Sequence, residues 1–230
     1  DMDSCDKSVE KLAKKARGND PKAKQAVVIL ERMSAHLGEN KALRSFELNE
    51  EEEELVSEYR FLTNKPTIYV ANVGEEDLPE MNNDYVKKVK EFAAAEGSEV
   101  VPVCAQIEEE ISQLEDGETQ EFLESLGLNE SGLDRLVKKS YETLGLITYL
   151  TAGEIEVRAW TIKKGWLAPQ AASVIHSDFE KLFIRAEVKK YEDFDRLGSE
   201  KAVKEAGLLK VEGKEYEVID GDIITFLNGK

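Results

Sequence analysis

The stretch Thr67-Ile68-Tyr69-Val70-Ala71-Asn72-Val73, which runs into Gly74-Glu75-Glu76-Asp77, decides the fold of the region around it. Five of its first seven residues are β-branched or aromatic, as strands prefer. Pro66 stands at the entry, where a missing N–H is tolerated, and Gly74 permits a sharp exit. The stretch therefore predicts a buried strand that ends in an acidic loop.

Two polar side chains, Asn72 and Glu75, lie three residues apart where this strand ends. Ligands of open α/β sheets bind at the C-terminal ends of the strands, so the pair is a candidate for recognising a nucleotide base. The alternative is a capped loop in which Asn72 hydrogen-bonds to its own backbone. The spacing by itself favours the capped loop, and both interpretations stay open at this point.

The next residues predict that this strand belongs to a βαβ unit. Residues 82–84 offer caps for a helix that ends at Gly97, and residues 100–104 have the composition of a second strand. Strand, helix and strand at this spacing predict a right-handed, parallel pair. Cys104-Ala105-Gln106 is then expected at the same sheet edge as Asn72 and Glu75. The helix is expected to bury one apolar face, made of Tyr85, Val86, Val89, Phe92 and Ala93.

The first part of the chain predicts a helical hairpin. Residues 1–17 have helical composition, and Gly18-Asn19-Asp20-Pro21 predicts a turn in which Asp20 caps a second helix that ends near Leu37. Two helices joined by four residues return antiparallel. Basic residues cluster toward the tip: residues 7–24 contain seven Lys and Arg against two carboxylates. The hairpin is therefore interpreted either as a plain spacer or as an arm that contacts a partner.

Helices are also expected over residues 106–115, 118–126 and 132–144, before the pattern changes near residue 145. The last of them is expected to bury the stripe Leu133, Leu136, Val137, Tyr141 and Leu144. Residues 155–162 alternate as a half-exposed strand does. A helix from Pro169, a strand over 184–188, a helix over 199–206, a hairpin through 212–214 and a final strand after 220–222 complete a small α+β module.

Composition and charge limit the class of protein. With 230 residues, 41% hydrophobic and 34% charged, the chain is long enough for two domains with their own cores. No run approaches the roughly 18 apolar residues that span a bilayer, and no leader opens the sequence, which predicts a cytoplasmic protein with no membrane partner. A net charge of −17 argues against a general nucleic-acid coat. Residues 106–130 carry nine carboxylates and no Lys or Arg, so the chain is an acidic body with a basic arm.

Cysteine and histidine usage argues against a Cys/His metal centre. Cys5 and Cys104 are expected to be reduced and buried rather than paired. His36 and His176 are the only histidines, which leaves a carboxylate site for Mg²⁺ as the open alternative. His176, within His-Ser-Asp, is expected to be structural or to contact a partner, since Asp178 two residues away does not make a catalytic triad. Trp160 is expected in the core, and Trp166 either there or facing a partner.

Several longer motifs resemble the YchF, or Obg-like, ATPase family over essentially the whole chain. In the first half these are Lys65-Pro66-Thr67-Ile68-Tyr69-Val70-Ala71-Asn72-Val73 and Val101-Pro102-Val103-Cys104-Ala105. The second half adds residues 148–153, 156–162, 168–172, 175–181, 183–188, 204–207 and 220–222. The resemblance implies an α/β fold, the C-terminal part of a P-loop NTPase sheet with an inserted α-helical hairpin, followed by an α+β, ubiquitin-like (β-grasp) TGS domain. The expected domains are 1–60 for the coiled-coil hairpin, 61–145 for the nucleotide-binding part and 146–230 for the TGS domain.

The resemblance also implies ATP as ligand, with Mg²⁺ in the complete protein, and the ribosome or RNA as partner. Asn72-Val73-Gly74-Glu75 then stands where related GTPases carry the guanine-reading N-K-x-D loop. Losing the Lys and lengthening the Asp to Glu removes the fit to guanine, while Asn72 can still meet the amine and a ring nitrogen of adenine. Val73 is expected to pack against the ring. The implied nucleotide-binding residues are Asn72, Val73, Glu75, Cys104 and Ala105.

The sequence contains no phosphate-binding loop of the form G-x-x-x-x-G-K-[S/T]. We therefore expect the N-terminal part of the nucleotide domain to lie upstream, assign no catalytic or metal-binding residue, and expect no ATP hydrolysis by this chain alone. The alternative function is a non-catalytic module that binds RNA or the ribosome. Its expected contacts are Lys11, Lys14, Lys15 and Arg17 on the hairpin, and Lys163, Lys164, Arg185, Lys181, Lys189 and Lys190 on the second module.

Overall fold

The computed structural model describes residues 1–18, 20–115, 117–153 and 156–229. It divides the chain into two compact units, Asp1–Lys139 and Ser140–Lys230. The sequence predicted a boundary near residue 145, a few residues after this division. Two residues of predicted elements, Asn19 in the first turn and Ile155 at the start of a strand, lie outside the described residues. Among the described helices, none has the length and apolar character that a membrane span needs.

The first unit begins with two long helices. Helix α1 spans Met2–Ala16 and α2 spans Pro21–Gly38. The Asp20 side chain caps α2 by accepting from the backbone N–H groups of Lys22 and Ala23 at 3.0 and 3.2 Å. The Ser34 hydroxyl donates to the Asp6 carboxylate at 2.7 Å, as expected for helices that run in opposite directions. The two helices, with the segment that follows, enclose Cys5, Ile29, Leu30, Met33, Leu43, Val56 and Phe61.

A parallel strand pair forms the rest of the first unit. Short 3₁₀ turns at Leu43–Ser45 and Leu62–Asn64 and helix α3, Glu50–Val56, lead to strand β1, Ile68–Asn72. Helix α4, Asp84–Ala95, connects β1 to strand β2, Glu99–Val103, and the two strands pair in parallel from Ile68↔Glu99 to Asn72↔Val103. The predicted βαβ pairing is therefore confirmed. Helices α5, α6 and α7 follow at Ala105–Ile111, Glu118–Ser125 and Gly132–Thr143.

The burial predicted for β1 and α4 is partly wrong. Val70 is 51% exposed, because β1 pairs only with β2 among the described residues and α4 packs on the face that carries Tyr69. On α4, Val86 and Ala93 are buried, whereas Tyr85 and Phe92 are 79% and 57% exposed. A helical repeat defines a stripe of apolar residues, and only the part of it that meets the strands is covered.

Helix α7 likewise does not bury its predicted stripe. Leu133, Val137 and Leu144 are exposed, and Leu136 is half-buried. The helix instead approaches β2 through Gly132, where an added Cβ would lie 2.8 Å from Val103 Cγ1. Its Arg135 donates to the carbonyl of Pro102 at 3.1 Å. A small and a charged residue thus make the contact that periodicity assigned to leucines.

The second unit is a five-stranded mixed sheet with short helices. Its strands are β3 Leu146–Ala152, β4 Val157–Lys163, β5 Phe183–Lys190, β6 Lys210–Glu212 and β7 Asp222–Asn228, in the order β4-β3-β7-β5-β6. The β3–β7 pair is parallel and the others are antiparallel. The helices are α8 Ala168–Ser173, α9 Ser177–Lys181, α10 Tyr191–Leu197 and α11 Glu200–Glu205.

The core of this unit lies between the sheet and α8. Tyr149 is fully buried and donates to the Ala171 carbonyl at 2.9 Å, which fixes β3 to the helix. The predicted hairpin through 212–214 is wrong: β6 pairs with β5, and Glu217 forms an isolated bridge with Leu167. The predicted strand over 184–188 and the helices from Pro169 and over 199–206 are confirmed with small shifts of their ends.

Candidate functional site

The C-terminal ends of β1 and β2 form one edge of the first unit, where the predicted nucleotide-binding residues meet. Val73 donates its backbone N–H to the Val103 carbonyl at 2.9 Å, which continues the strand pairing by one residue. The Oδ1 atom of Asn72 accepts from the backbone N–H of Ala105 at 3.0 Å. The structure therefore brings the loop after β1 and the loop after β2 into direct contact, as the parallel pairing predicts.

The hydrogen bond of Asn72 differs from both interpretations of the sequence. Its partner lies 33 positions away rather than in its own loop, so the side chain is a tie between two loops. A carbonyl oxygen has two lone pairs, and this bond uses one of them. No other hydrogen bond of this side chain occurs among the described residues. The second lone pair and the Nδ2 amino group are thus available to a ligand at this exposed edge.

Val73 and Cys104 contribute backbone rather than side chains to this edge. Their side chains are 7% and 2% exposed and belong to the cluster Val73, Met81, Val86, Cys104, Ile107, Leu123 and Leu128. The expectation that Val73 packs its side chain against a bound ring is therefore wrong. Because successive strand residues face opposite sides, the residue after Asn72 turns into the core. The buried side chains of Val73 and Cys104 thus anchor the two loops to this hydrophobic cluster.

Glu75 lies exposed in a short 3₁₀ helix, Glu75–Asp77, that begins after Gly74. The loop around it is anchored at its far end, because the Asp77 carboxylate accepts from Asn83 Nδ2 at 2.7 Å. Asn83 in turn caps α4 by accepting from the Val86 N–H at 2.9 Å. Glu75 therefore presents a carboxylate on an anchored loop, close in sequence to the exposed amide of Asn72.

Two further polar groups that sequence reasoning missed hold this unit together. The Glu108 carboxylate accepts from the backbone N–H groups of Gly132 and Leu133 at 2.7 and 3.1 Å, which joins α5 to the start of α7. At the opposite ends of the strands, Glu96 accepts from Arg44 Nη2 and from the Tyr69 hydroxyl, both at 2.8 Å. Their partners are tens of residues apart, so no local pattern signals them.

The Arg44–Glu96–Tyr69 group shifts the acidity of its members. Hydrogen bonds from Arg44 and then from Tyr69 hold the pKa of the Glu96 carboxyl below its usual range. The same hydrogen bond to Glu96 raises the pKa of the Tyr69 hydroxyl. The group joins the 3₁₀ turn after α2 to both β1 and α4.

The predicted basic contacts fall into two classes. Lys11, Lys14, Lys15 and Arg17 are exposed along the second half of α1, and no ion pair involves them in the described part of the chain. Lys163, Lys164, Lys181 and Arg185 are exposed too. Lys189 and Lys190 differ, because they pair with Glu200 at 2.6 Å and with the fully buried Asp222 at 2.5 Å. The side chain of Lys189 is 3% exposed, so its assignment to a binding surface is wrong, whereas that of Lys190 is 41% exposed.

The aromatic and histidine candidates of the second unit have local structural partners. Trp160 is half-buried against the core and donates Nε1–H to Thr151 Oγ1 at 2.9 Å, and Trp166 also packs partly on the core. His176 Nδ1 accepts from the Asp178 N–H at 3.2 Å, which caps α9. This is a structural role, as expected. Among residues 1–18, 20–115, 117–153 and 156–229, no three His, Cys, Asp or Glu side chains gather as a metal site requires.

Comparison with known proteins gives concordant matches. A family model described as "YchF-GTPase_C: Protein of unknown function (DUF933)" matches residues 146–228. The chain is 49% identical over 226 residues to the ribosome-binding ATPase YchF of Haemophilus influenzae, and 49% identical over 227 residues to that of Bacillus subtilis. In both cases 98% of this chain is covered.

A solved structure supports the same assignment. The YchF GTPase of Schizosaccharomyces pombe superposes with a TM-score of 0.82 at 34% identity and covers 98% of this chain. The chain spans 62% of the length of each of these three relatives. The second unit thus matches the C-terminal domain of the YchF family, and similarity to YchF proteins extends along the first unit.

Proposed function

We propose that this chain is the C-terminal, base-recognising and partner-binding part of an ATP-binding, ATP-hydrolysing protein that associates with ribosomes in the cytoplasm. The names of the bacterial relatives, ribosome-binding ATPases, motivate the proposal. The single observation that carries it is the tie between Asn72 Oδ1 and the Ala105 N–H, which brings two loops together at the C-terminal end of a parallel strand pair.

Adenine recognition follows from the groups at this edge. The free lone pair of Asn72 Oδ1 and the carboxylate of Glu75 can accept from the 6-amino group of adenine, and Asn72 Nδ2 can donate to a ring nitrogen. The backbone at Val73, Cys104 and Ala105 forms the surface on which the base lies. Guanine has a carbonyl oxygen at position 6 instead of an amino group. It therefore offers no donor there to Asn72 Oδ1 and the Glu75 carboxylate. We therefore infer a preference for adenine.

The described residues offer no comparable set of groups for the phosphates or the metal ion of ATP. The sequence contains no G-x-x-x-x-G-K-[S/T] loop, and the described residues contain no gathered set of metal ligands for Mg²⁺. The residues present fit the base of ATP and do not fit its metal. Hydrolysis therefore belongs to the complete protein in this proposal, and we expect no turnover by the 230-residue chain alone.

The adenine proposal is tested by nuclear magnetic resonance titration of the chain with adenosine, inosine and guanosine at millimolar concentration. We expect adenosine to shift the amide resonances of residues 72–75 and 104–106 most, and Asn72→Ala to weaken its binding about tenfold, as loss of a discriminating bidentate contact implies. Asn82→Ala, an exposed asparagine in the loop before α4, is the matched control. Equal shifts with guanosine, or unchanged binding by the Asn72 variant, would contradict adenine recognition.

We further propose that the helical arm, residues 1–60, and the second unit, as a ubiquitin-like TGS domain over residues 146–230, bind the ribosome or another RNA surface. Four exposed cations on α1 support this for the arm. In a chain with a net charge of −17, an unpaired basic surface is the part suited to phosphate contacts. Lys163, Lys164 and Arg185 are the corresponding candidates on the second unit.

Ribosome co-sedimentation at several salt concentrations tests the arm. Reversing Lys11, Lys14 and Lys15 to Glu is expected to weaken binding. It should also reduce the slope of log K against log salt concentration by up to roughly 0.7–0.9 for each phosphate contact that is lost. The control reverses Lys87, Lys88 and Lys90 to Glu on α4, which changes the net charge equally. If both triple variants behave alike, the arm is not the contact.

A further inference from the structure

Strand β4 forms one edge of the five-stranded sheet. It pairs with β3 over all seven residues, in unbroken register from Leu146↔Lys163 to Ala152↔Val157. No other strand in the described part of the chain pairs with its second side. In an edge strand, alternate residues direct their N–H and C=O groups away from the sheet. The outer side of β4 is thus a row of backbone donors and acceptors without strand partners.

Of the features that protect an edge, β4 has charged side chains, Arg158 and Lys163, but it lacks the features that block pairing sterically. Proline, a β-bulge or a very short strand would prevent further pairing. Residues 157–163 contain no proline, and their consecutive register has no bulge. The other edge of the same sheet, β6, has only three residues. β4 is therefore the edge that offers enough length to pair with another segment.

The side chains of β4 are exposed and carry positive charge. Val157 is 72% exposed, and Arg158, Ala159, Thr161 and Lys163 are exposed as well. Lys164 follows directly, and no carboxylate lies within the strand. The Arg158 guanidinium stands 4.1 Å from the centre of the Trp160 ring, which holds it near the edge. Its pair with Glu156, at 3.9 Å and exposed on both sides, is a weak competitor.

We propose that the free edge of β4 docks an extended, acidic segment of a partner protein, which adds a sixth strand to this sheet. Main-chain hydrogen bonds would supply the binding energy. Carboxylates on the two faces of the added strand, one beside Arg158 and one beside Lys163, would supply the selectivity. A polypeptide suits this edge better than RNA does, because its backbone matches both the donors and the acceptors of a strand. A second copy of β4 suits it less, because it would add cations beside those already present.

The test uses the whole chain and two synthetic peptides, acetyl-TEVTVTEVT-amide, whose two glutamates are five residues apart as Arg158 and Lys163 are, and its counterpart with lysine in place of every glutamate. We expect the acidic peptide to shift the amide resonances of residues 157–163, to slow hydrogen exchange along β4, and to give contacts between its backbone and that of β4. The basic peptide is expected to bind at least about tenfold more weakly. This proposal is independent of adenine recognition, whose resonances lie in the first unit.

Charge reversal separates the edge from a general electrostatic effect. Arg158→Glu with Lys163→Glu is expected to weaken the acidic peptide about tenfold or more. Lys201→Glu with Lys204→Glu, the same charge change on exposed residues of α11, is expected to change it less than about twofold. The proposal is overturned if the acidic peptide does not bind at millimolar concentration, if its shifts map outside β4, if single-stranded RNA shifts β4 while the peptide does not, or if the chain self-associates through β4.

Discussion

At the scale of single residues, Asp222 concentrates more hydrogen bonds than any candidate ligand-binding residue described above. It is fully buried, and its Oδ1 accepts from Lys190 Nζ at 2.5 Å. Its Oδ2 accepts from the Tyr216 hydroxyl at 2.7 Å and from the Ile219 N–H at 2.9 Å. Burial and then this hydrogen bond raise the pKa of Tyr216 above its ordinary value. The carboxylate thus joins β5 and β7 to the segment between them.

We expect Asp222→Ala to lower the free energy of unfolding by about 1–3 kcal/mol, since it leaves the Tyr216 hydroxyl and the Ile219 N–H without their acceptor and Lys190 without its counter-ion. Urea unfolding followed by circular dichroism measures the loss. Asp195→Ala, an exposed aspartate on α10, is the control and should change stability by less than about 0.5 kcal/mol. Similar losses in both variants would show that the buried hydrogen bonds contribute little.

The hydrogen bond between Asn72 and Ala105 shows which part of a contact can be predicted from the sequence. The position of Asn72 at a strand end was readable, because β-branched residues, Pro66 and Gly74 act locally. Its partner Ala105, which begins α5 just after β2, was expected at the same edge, but only the completed parallel pairing places Asn72 Oδ1 3.0 Å from the Ala105 nitrogen. The same holds for Glu108 and the start of α7. Contacts made by folding, rather than by neighbours in sequence, escaped prediction.

At the scale of elements, the group Arg44–Glu96–Tyr69 fastens the arm to the strand pair. Arg44 and Glu96 are 17% and 20% exposed, so water screens them less than it screens surface pairs. The pKa of Glu96 is depressed in the fold. The stability from this group is therefore present above the unfolded-state pKa of a glutamate and is lost as pH falls through the lower folded value.

We expect Glu96→Gln to destabilise the chain by about 1–3 kcal/mol at pH 7 and by less at pH 3, which lies below the unfolded-state pKa of a glutamate, so that part of the charge-dependent stability of the wild type is already lost. Chemical denaturation at the two pH values gives both differences. Glu91→Gln, an exposed residue of α4, should leave stability unchanged at both. A difference for Glu96→Gln that does not depend on pH would contradict the role of its charge.

Helix starts and strand types were the most predictable features at this scale, and helix faces the least. Caps such as Asp20 and Asn83 act on their own helix, so their sequence signal survives in the fold. The predicted stripe of α4 was correctly periodic, yet Tyr85 and Phe92 are exposed while Val86 and Ala93 are buried. Periodicity tells which residues share a face and leaves open what meets that face.

At the scale of the whole molecule, each unit has hydrophobic clusters of its own. The second unit encloses Tyr149, Ile162, Ala171, Phe183, Val188 and Ile224 without a residue from the first. A domain with its own core is expected to fold independently. The change of pattern near residue 145 predicted a boundary close to the observed one, although the second unit begins at Ser140.

We expect a polypeptide of residues 140–230 to fold alone and to unfold cooperatively, with a midpoint within a few degrees of one transition of the full chain. Differential scanning calorimetry of both polypeptides measures this. Asp222→Ala, placed in the full chain, should lower that transition and leave the other unchanged. A single transition in the full chain that shifts as a whole would mean that the two units do not unfold independently.

The two cysteines allow local opening of the first unit to be measured. Cys5 lies in the arm cluster and Cys104 in the strand-end cluster, both reduced and at most 2% exposed, and the second unit has no cysteine. Burial raises the pKa of the Cys5 thiol, which further slows its reaction. An alkylating reagent will therefore label each site only during local opening. Mass spectrometry of the labelled peptides will report separately how often the cluster around Cys5 and the cluster around Cys104 open.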